Sequence, residues 1–128
     1  MQPHRFDCKV YLEDTDAQGI VYHANYLRYF ERARTELLES LGLRQRERAS
    51  DEILFVVHEV QAKFLKPARA GDRLCVLTRM ERASDYRLRF LQEIRPAGEG
   101  PALVTAEVFV VCVGREGELV EIPAAVRL

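Results

Sequence analysis

The sequence predicts an α+β domain in which one long helix lies over an antiparallel sheet. Three observations carry that expectation. One stretch has helical periodicity, several later stretches alternate with a period of two, and the loops between those stretches are too short for parallel crossovers. A helix with one apolar face needs an apolar sheet face to cover, and the alternating strands supply it. The chain has 128 residues, which suits a single domain (1–128) with its own core.

Each element can be justified in turn. Phe6 to Leu12 reads as a short first strand, followed by the polar turn Glu13-Asp14-Thr15-Asp16-Ala17-Gln18-Gly19. Between Ile20 and Leu41 the period changes. Leu27, Phe30, Ala33, Leu37, Leu38 and Leu41 recur at three- and four-residue steps, which defines one helical face. Arg28, Glu31, Arg32, Glu36 and Glu39 take the other faces, and Gly42 supplies the stop. The helix is therefore about four to five turns long. Residues 43–52 read as a charged connection. Val56, His58, Val60, Ala62 and Phe64 then alternate against Val57, Glu59, Gln61 and Lys63, a strand closed by Pro67 and Gly71-Asp72. Leu74, Val76, Thr78 and Met80 form the apolar row of the next strand. After a turn at Ser84-Asp85, Tyr86, Leu88, Phe90, Gln92 and Ile94 form another such row. Pro96 to Pro101 is a loop, and Ala102 to Val113, apolar on both faces near its end, reads as a central strand. Gly114 to Gly117 turns into a last strand near Leu119 to Ile122, giving five to six strands. The strands run to roughly ten or twelve residues, beyond the usual five or six. One helix over so long a sheet leaves an edge exposed, and pairing that edge with a second copy removes the hazard, so a homodimer is expected.

Composition narrows the function. Lys plus Arg is 19 and Asp plus Glu is 20, so the net charge is −1 and a dominant nucleic-acid role is not expected. Hydrophobic residues at 48% and charged residues at 30% argue against disorder. No apolar run reaches the ~18 residues of a membrane span. Met1 to Arg5 has no apolar stretch behind it, so no secretory signal is expected. Cys8, Cys75 and Cys112 are odd in number and lack CxxC spacing, which reads as reduced thiols in a cytoplasmic protein.

The stretch Tyr11 to Tyr26 carries the chemistry. It places a cluster of carboxylates and a glycine just ahead of a helix start that holds His23 and Asn25. A helix N-terminus offers unpaired N–H groups and partial positive charge, which can hold a carbonyl oxygen as it becomes an oxyanion. A carboxylate beside it can attack that carbonyl or activate a water, so the arrangement suits acyl transfer. Bland readings stand beside this one. Asp14, Thr15 and Asp16 can satisfy a turn and cap the helix, Tyr22, Tyr26 and Tyr29 can rim an interface, and Gly19 can simply supply a positive φ. Metal readings fare worse. Asp14, Asp16 and Gln18 imitate the opening of a calcium loop, but its twelfth position is Asn25, not glutamate, and no helix precedes it. His4, His23 and His58 show no ligand spacing with the cysteines, so no metal is expected, and His58 reads as a bonded core histidine. No GxSxG, P-loop or GxGxxG is present.

Glu13-Asp14-Thr15-Asp16, then Gly19-Ile20-Val21-Tyr22-His23-Ala24-Asn25-Tyr26, then Glu31-Arg32-Ala33-Arg34-Thr35-Glu36 resembles the signature of the YbgC-type acyl-CoA thioesterases. These are relatives of the 4-hydroxybenzoyl-CoA thioesterases of the hotdog fold. The later part matches in layout, including Lys66-Pro67-Ala68 and Gly71-Asp72. The resemblance implies a hotdog, a long helix wrapped by the sheet, assembled as a homodimer or homotetramer. It implies Asp16 as the catalytic carboxylate and His23 as a second catalytic residue. Backbone N–H groups of Tyr22 and His23 would polarise the thioester carbonyl, and Gly19, Tyr22 and Asn25 would contact substrate. It implies no bound cofactor, because coenzyme A is part of the acyl-CoA substrate, and it carries a link in some relatives to cell-envelope complexes and lipid synthesis. Asp14 is the nearest rival carboxylate and Glu31 a weaker one. Many members carry a second tyrosine where this chain has Leu12. Coenzyme A has phosphates, and among Lys63, Lys66, Arg69, Arg82, Arg87 and Arg89 the candidates to bind them are Lys66 and Arg82. The alternatives within the same fold are a non-catalytic acyl-thioester-binding protein and a dehydratase acting on acyl-carrier-protein thioesters.

Overall fold

Alternating apolar residues become strands and the single helical stretch becomes a helix, in the order expected. The structure is a computed structural model that describes residues 2–43, 53–124 and 126. Beyond Leu43, the charged connection expected over 43–52 lies outside the described residues. The elements are β1 (His4–Lys9), a 3-10 turn (Leu12–Asp14), α1 (Asn25–Ser40), β2 (Leu54–Phe64), β3 (Arg73–Arg82), β4 (Arg87–Pro96) and β5 (Val104–Val113). The five strands form one antiparallel sheet in the order β1-β3-β4-β5-β2. The first two strands are thus the two edges, and the helix crosses between them, as the hotdog resemblance implies.

Register aligns the inner face across all five strands. Phe6, Val76, Ile94, Val104 and Phe64 share one row, because each is paired with the next. The helix packs on β1 and β3 and buries Phe30, Ala33 and Leu38 against that face. Gln92, polar on an otherwise apolar row, is satisfied in full. Its amide donates to Phe30 O and Thr78 Oγ1 at 3.0 Å each, and its oxygen accepts from Arg34 at 3.0 Å. Such a network leaves no unpaired buried polar atom on that side chain.

Four expectations are corrected. The first strand stops at Lys9, because Val10 turns into the core and exchanges backbone bonds with Gly71 and Asp72. The buried helical stripe runs through Tyr26 and Tyr29, whereas Leu27 is exposed. The tyrosines share the three- and four-residue spacing and bury more area, so they win the face. His58 falls at a β-bulge between Val57 and Glu59 and is exposed, not in the core. Leu119 to Ile122 forms only an isolated bridge, Val113 to Leu119. β4 and β2 already flank β5, so little free ladder is left for a sixth strand.

The edges differ. Helix α1 shields β1, but β2 leaves Val57, Val60 and Phe64 between 40% and 49% exposed, although they point to the same inner face as the core. Among the described residues no helix is long and apolar enough to cross a membrane.

Candidate active site

The site is built where the chain leaves β1, turns, and enters α1. Residues 15–21 close on themselves through a Thr15–Val21 bridge, and Asp16 N–H donates to Ile20 O at 2.9 Å. Gly19 holds the tip at φ 79°, a conformation that costs other residues, and its N–H returns to Asp16 O at 3.0 Å. The loop is docked from outside as well. Val21 N–H donates to Ala68 O at 2.9 Å, Ile20 bridges Arg69, and Ala68 N–H donates to the buried Tyr26 hydroxyl at 3.1 Å. The Lys66-Pro67-Ala68 segment therefore lies against the loop, which brings Lys66 to this end of the sheet.

The two candidate aspartates are distinct. Asp16 is half-buried, and its Oδ1 accepts the Gln18 N–H at 2.8 Å, an Asx turn that fixes the carboxylate while Oδ2 has no partner among the described residues. Asp14 is only 8% exposed, and its Oδ2 accepts the Tyr11 N–H at 2.9 Å. Burial works against the Asp14 charge. The Tyr11 N–H, the Tyr29 hydroxyl, the Asn25 amide and the Arg32 charge outweigh it and hold this carboxyl below its usual range. Asp14 is therefore the more deeply buried of the two, Asp16 the more open, and both border one opening.

That opening is a cleft of about 360 Å³ lined by Asp14, Thr15, Asp16, Tyr22, Ala24 and Arg28, among others. Its helix side is short of acceptors. Ala24 caps α1 in helical geometry with no side-chain bond, and the first turn closes through Asn25 N–H to Tyr22 O at 2.7 Å and Tyr26 N–H to His23 O at 3.3 Å. The N–H groups of His23 and Ala24 have no partner among the described residues. Tyr22, expected as an oxyanion donor, is corrected here: its N–H donates to Asp14 O at 3.0 Å and is not free. The free donors are His23 and Ala24.

Above the helix start lies an aromatic wall. The His23 ring packs on Tyr22 at 4.7 Å and edge-on against Phe64 at 6.0 Å, and Phe64 meets Tyr26 at 5.8 Å. Phe64, Ala24 and Arg28 were not singled out from sequence. Only the place of Phe64 at the end of an apolar row pointed toward it. Asn25 lines the cleft but is buried beside Asp14. Arg82 is not brought to the site. It ends β3, paired at 3.9 Å with Asp85, and the nine steps from Arg73 put it about 30 Å along the strand from the loop. Tyr11 is 60% exposed, and Leu12, in place of a second tyrosine, is more so. Among the described residues no group of three or more His, Cys, Asp or Glu is placed to hold a metal ion.

The chain is similar to known thioesterases in sequence and fold. Residues 10–128 match the thioesterase-like superfamily. Over 109 residues, 85% of this chain and 81% of the relative, the chain is 41% identical to the acyl-CoA thioester hydrolase YbgC of Escherichia coli O6:H1. It is 36% identical over 104 residues to the 1,4-dihydroxy-2-naphthoyl-CoA hydrolase of Thermosynechococcus vestitus, covering 80% of this chain and 70% of that one. Among solved structures, a 1,4-dihydroxy-2-naphthoyl-CoA thioesterase from Synechocystis superposes with a TM-score of 0.90 at 28% identity, covering 95% of this chain and 90% of that one.

Proposed function

The chain belongs to the thioesterase-like superfamily, and from that premise we propose that it is an acyl-CoA thioesterase in which Asp16 attacks, or activates water against, a thioester carbonyl held by the His23 and Ala24 N–H groups. One observation carries the reading: a half-buried carboxylate with a free oxygen shares a cleft with a helix start whose first N–H groups lack acceptors. Such donors stabilise the oxyanion of the tetrahedral intermediate, and losing one typically costs about 3 kcal/mol in the barrier.

Two routes use these groups. As nucleophile, an Asp16 oxygen bonds the acyl carbon, the C–S bond breaks, and coenzyme A leaves as thiolate. Water then hydrolyses the acyl-aspartate anhydride and restores the carboxylate. As base, Asp16 takes a proton from water, the hydroxide bonds the acyl carbon, and the proton ends on the departing sulfur. His23, held by Tyr22 and Phe64, is placed to bond substrate or water. Gly19 keeps the turn open, and Tyr22 and Asn25 line the cleft. Lys66 is the cation suited to a coenzyme A phosphate. The reading needs no resident cofactor, because coenzyme A arrives with the acyl group. We assign a cytoplasmic setting on the free thiols Cys8, Cys75 and Cys112. The uncovered apolar face of β2 supports assembly with a second copy.

The test is thiol release from short aliphatic, long aliphatic and aromatic acyl-CoA thioesters, with wild type and Asp16→Ala side by side and both sized by sedimentation. Release that disappears with Asp16 is expected from a dimer or larger assembly, and the preferred thioester names the acyl class. A folded wild type that releases no thiol, or an Asp16→Ala that releases it normally, overturns the reading. A monomer overturns the assembly.

A further inference from the structure

We propose that Asp14 is a positioning residue: its buried carboxylate pins the strand-to-helix loop to the first turns of α1 and so sets where Asp16 stands relative to the His23 and Ala24 N–H groups. The catalytic half of this proposal rests on the thioesterase reading, and the structural half on the burial of Asp14, its bonds to Tyr11 and Tyr22, and two unpartnered buried donors of α1.

Asp14 is the one buried carboxylate among the described residues. A buried charge persists only where neighbours answer it. Here the answers come from both sides of the loop. On its own side the Tyr11 N–H donates at 2.9 Å. On the helix side stand Asn25, Tyr29 and Arg32, one on each of three successive turns or part-turns facing the loop. The Asn25 Nδ2 and Tyr29 Oη atoms are shielded from solvent and have no hydrogen-bond partner of ordinary geometry, and the Asp14 carboxylate is the anion beside them that a small shift would let them reach. Cys8, from β1, also faces this carboxylate, but burial pushes its thiol up to about 11, so it brings no competing anion at neutral pH.

The main chain of the same residue completes the clamp. Asp14 O accepts the Tyr22 N–H at 3.0 Å, immediately before His23. Asp16 lies two residues after Asp14, and His23 one residue after Tyr22. The carbonyl of Asp14 thus fastens the helix entry, its carboxylate holds the Tyr11 N–H, and the unpartnered Asn25 and Tyr29 donors of α1 stand beside that carboxylate. This also weighs against Asp14 as the rival catalytic carboxylate, because it is 8% exposed and its Oδ2 is taken by the Tyr11 N–H.

Displacing a reacting group by about 1 Å can cost about 100-fold in rate. Asp14→Asn keeps the size and removes the charge. It should lower kcat about 10- to 100-fold with KM within about twofold, the signature of lost alignment, not lost binding. It should also speed hydrogen exchange of the Tyr22 amide while the sheet amides of Phe90 and Val108 stay protected. Tyr29→Phe should shift both readouts in the same direction by less, and it decides the matter if Asp14→Asn does not fold. Unchanged kcat, unchanged Tyr22 exchange, or a parallel loss of protection across the sheet overturns the proposal. Absence of thiol release in wild type overturns the thioesterase reading instead, and Tyr22 exchange then still tests the clamp.

Discussion

The buried and open flanks of one loop make an instructive pair. On the buried flank, Tyr11 to Asp14 winds into a 3-10 turn whose acid is engaged by a backbone N–H and faces helix side chains. On the open flank, Asp16 to His23 spreads around a glycine turn, with a free carboxylate oxygen and free N–H groups facing a cleft. The two aspartates are chemically identical and two residues apart. Each accepts one backbone N–H, and what separates them is burial, with Asp14 8% exposed among helix side chains and Asp16 half-buried. The buried acid is suited to holding structure, and the more open one to chemistry.

The largest effect should come from exchanging charge for amide on the open flank. Asp16→Asn should cut thiol release about 10³-fold or more, because it removes the nucleophile or base itself, and it should leave the melting temperature within a degree or two of wild type, in keeping with a half-buried surface position. Scanning calorimetry and the thiol assay on one preparation check both halves. An Asp16→Asn that melts early yet still turns over would invert the contrast between the flanks.

A pH experiment sharpens it from the other side. The Asp14 carboxyl is held below its ordinary 3.8, with burial opposing the charge and the Tyr11 N–H, Tyr29, Asn25 and Arg32 favouring it more strongly. The unfolded chain therefore takes up a proton more readily than the folded one. The stabilisation from this group is fully present above its ordinary pKa and is lost as pH falls through the lower folded value. Asp14→Asn should cost about 1.5–3 kcal/mol near neutrality, the scale of a lost buried bond to a charged group. Its deficit relative to wild type should shrink as acid is added below about pH 4. Urea unfolding at a series of pH values reads this directly, and a deficit that stays constant down to pH 2 would contradict it.

How far the sequence could be read depended on how local each feature was. The helix, the alternating rows and the Asp16–His23 stretch are encoded by neighbours within a few residues, and they appear where expected. Leu27 against Tyr26 was not decidable that way, since both fit the same spacing and only the position of β3 selects the face that is buried. Leu119 to Ile122 looks like a strand by composition. Its failure to become one depends on sheet order, with β2 and β4 already flanking β5. Arg82 has the charge to hold a phosphate, but register puts it at the end of β3 far from this loop of the same chain. The Tyr22 N–H was a reasonable oxyanion donor until the Asp14 carbonyl proved to be its acceptor. In each case the deciding partner is distant in sequence, or is a backbone atom that no residue type reveals.

The smallest predicted effect tests the open flank where nothing crowds it. Gly19 has φ 79°, and a methyl group added there would meet no atom within 4 Å, so Gly19→Ala brings backbone strain without a clash. That strain is worth about 1 kcal/mol, since an L-residue in the left-handed region is disfavoured by roughly 1–2 kcal/mol. The loop has two ways to respond. If the Thr15–Val21 bridge and the Val21–Ala68 bond hold the turn in place, the full cost appears as a lower melting temperature and kcat is unchanged. If the turn relaxes instead, stability is spared and Asp16 moves. The three fastenings at Thr15, Val21 and Ile20 lie within the loop's few residues, while only the tip is unsupported, so the first response is expected. Gly19→Ala should therefore melt a few degrees lower with kcat within about twofold of wild type. A variant that keeps its melting temperature and loses activity would show the open flank to be soft, with the alignment of Asp16 depending on the glycine.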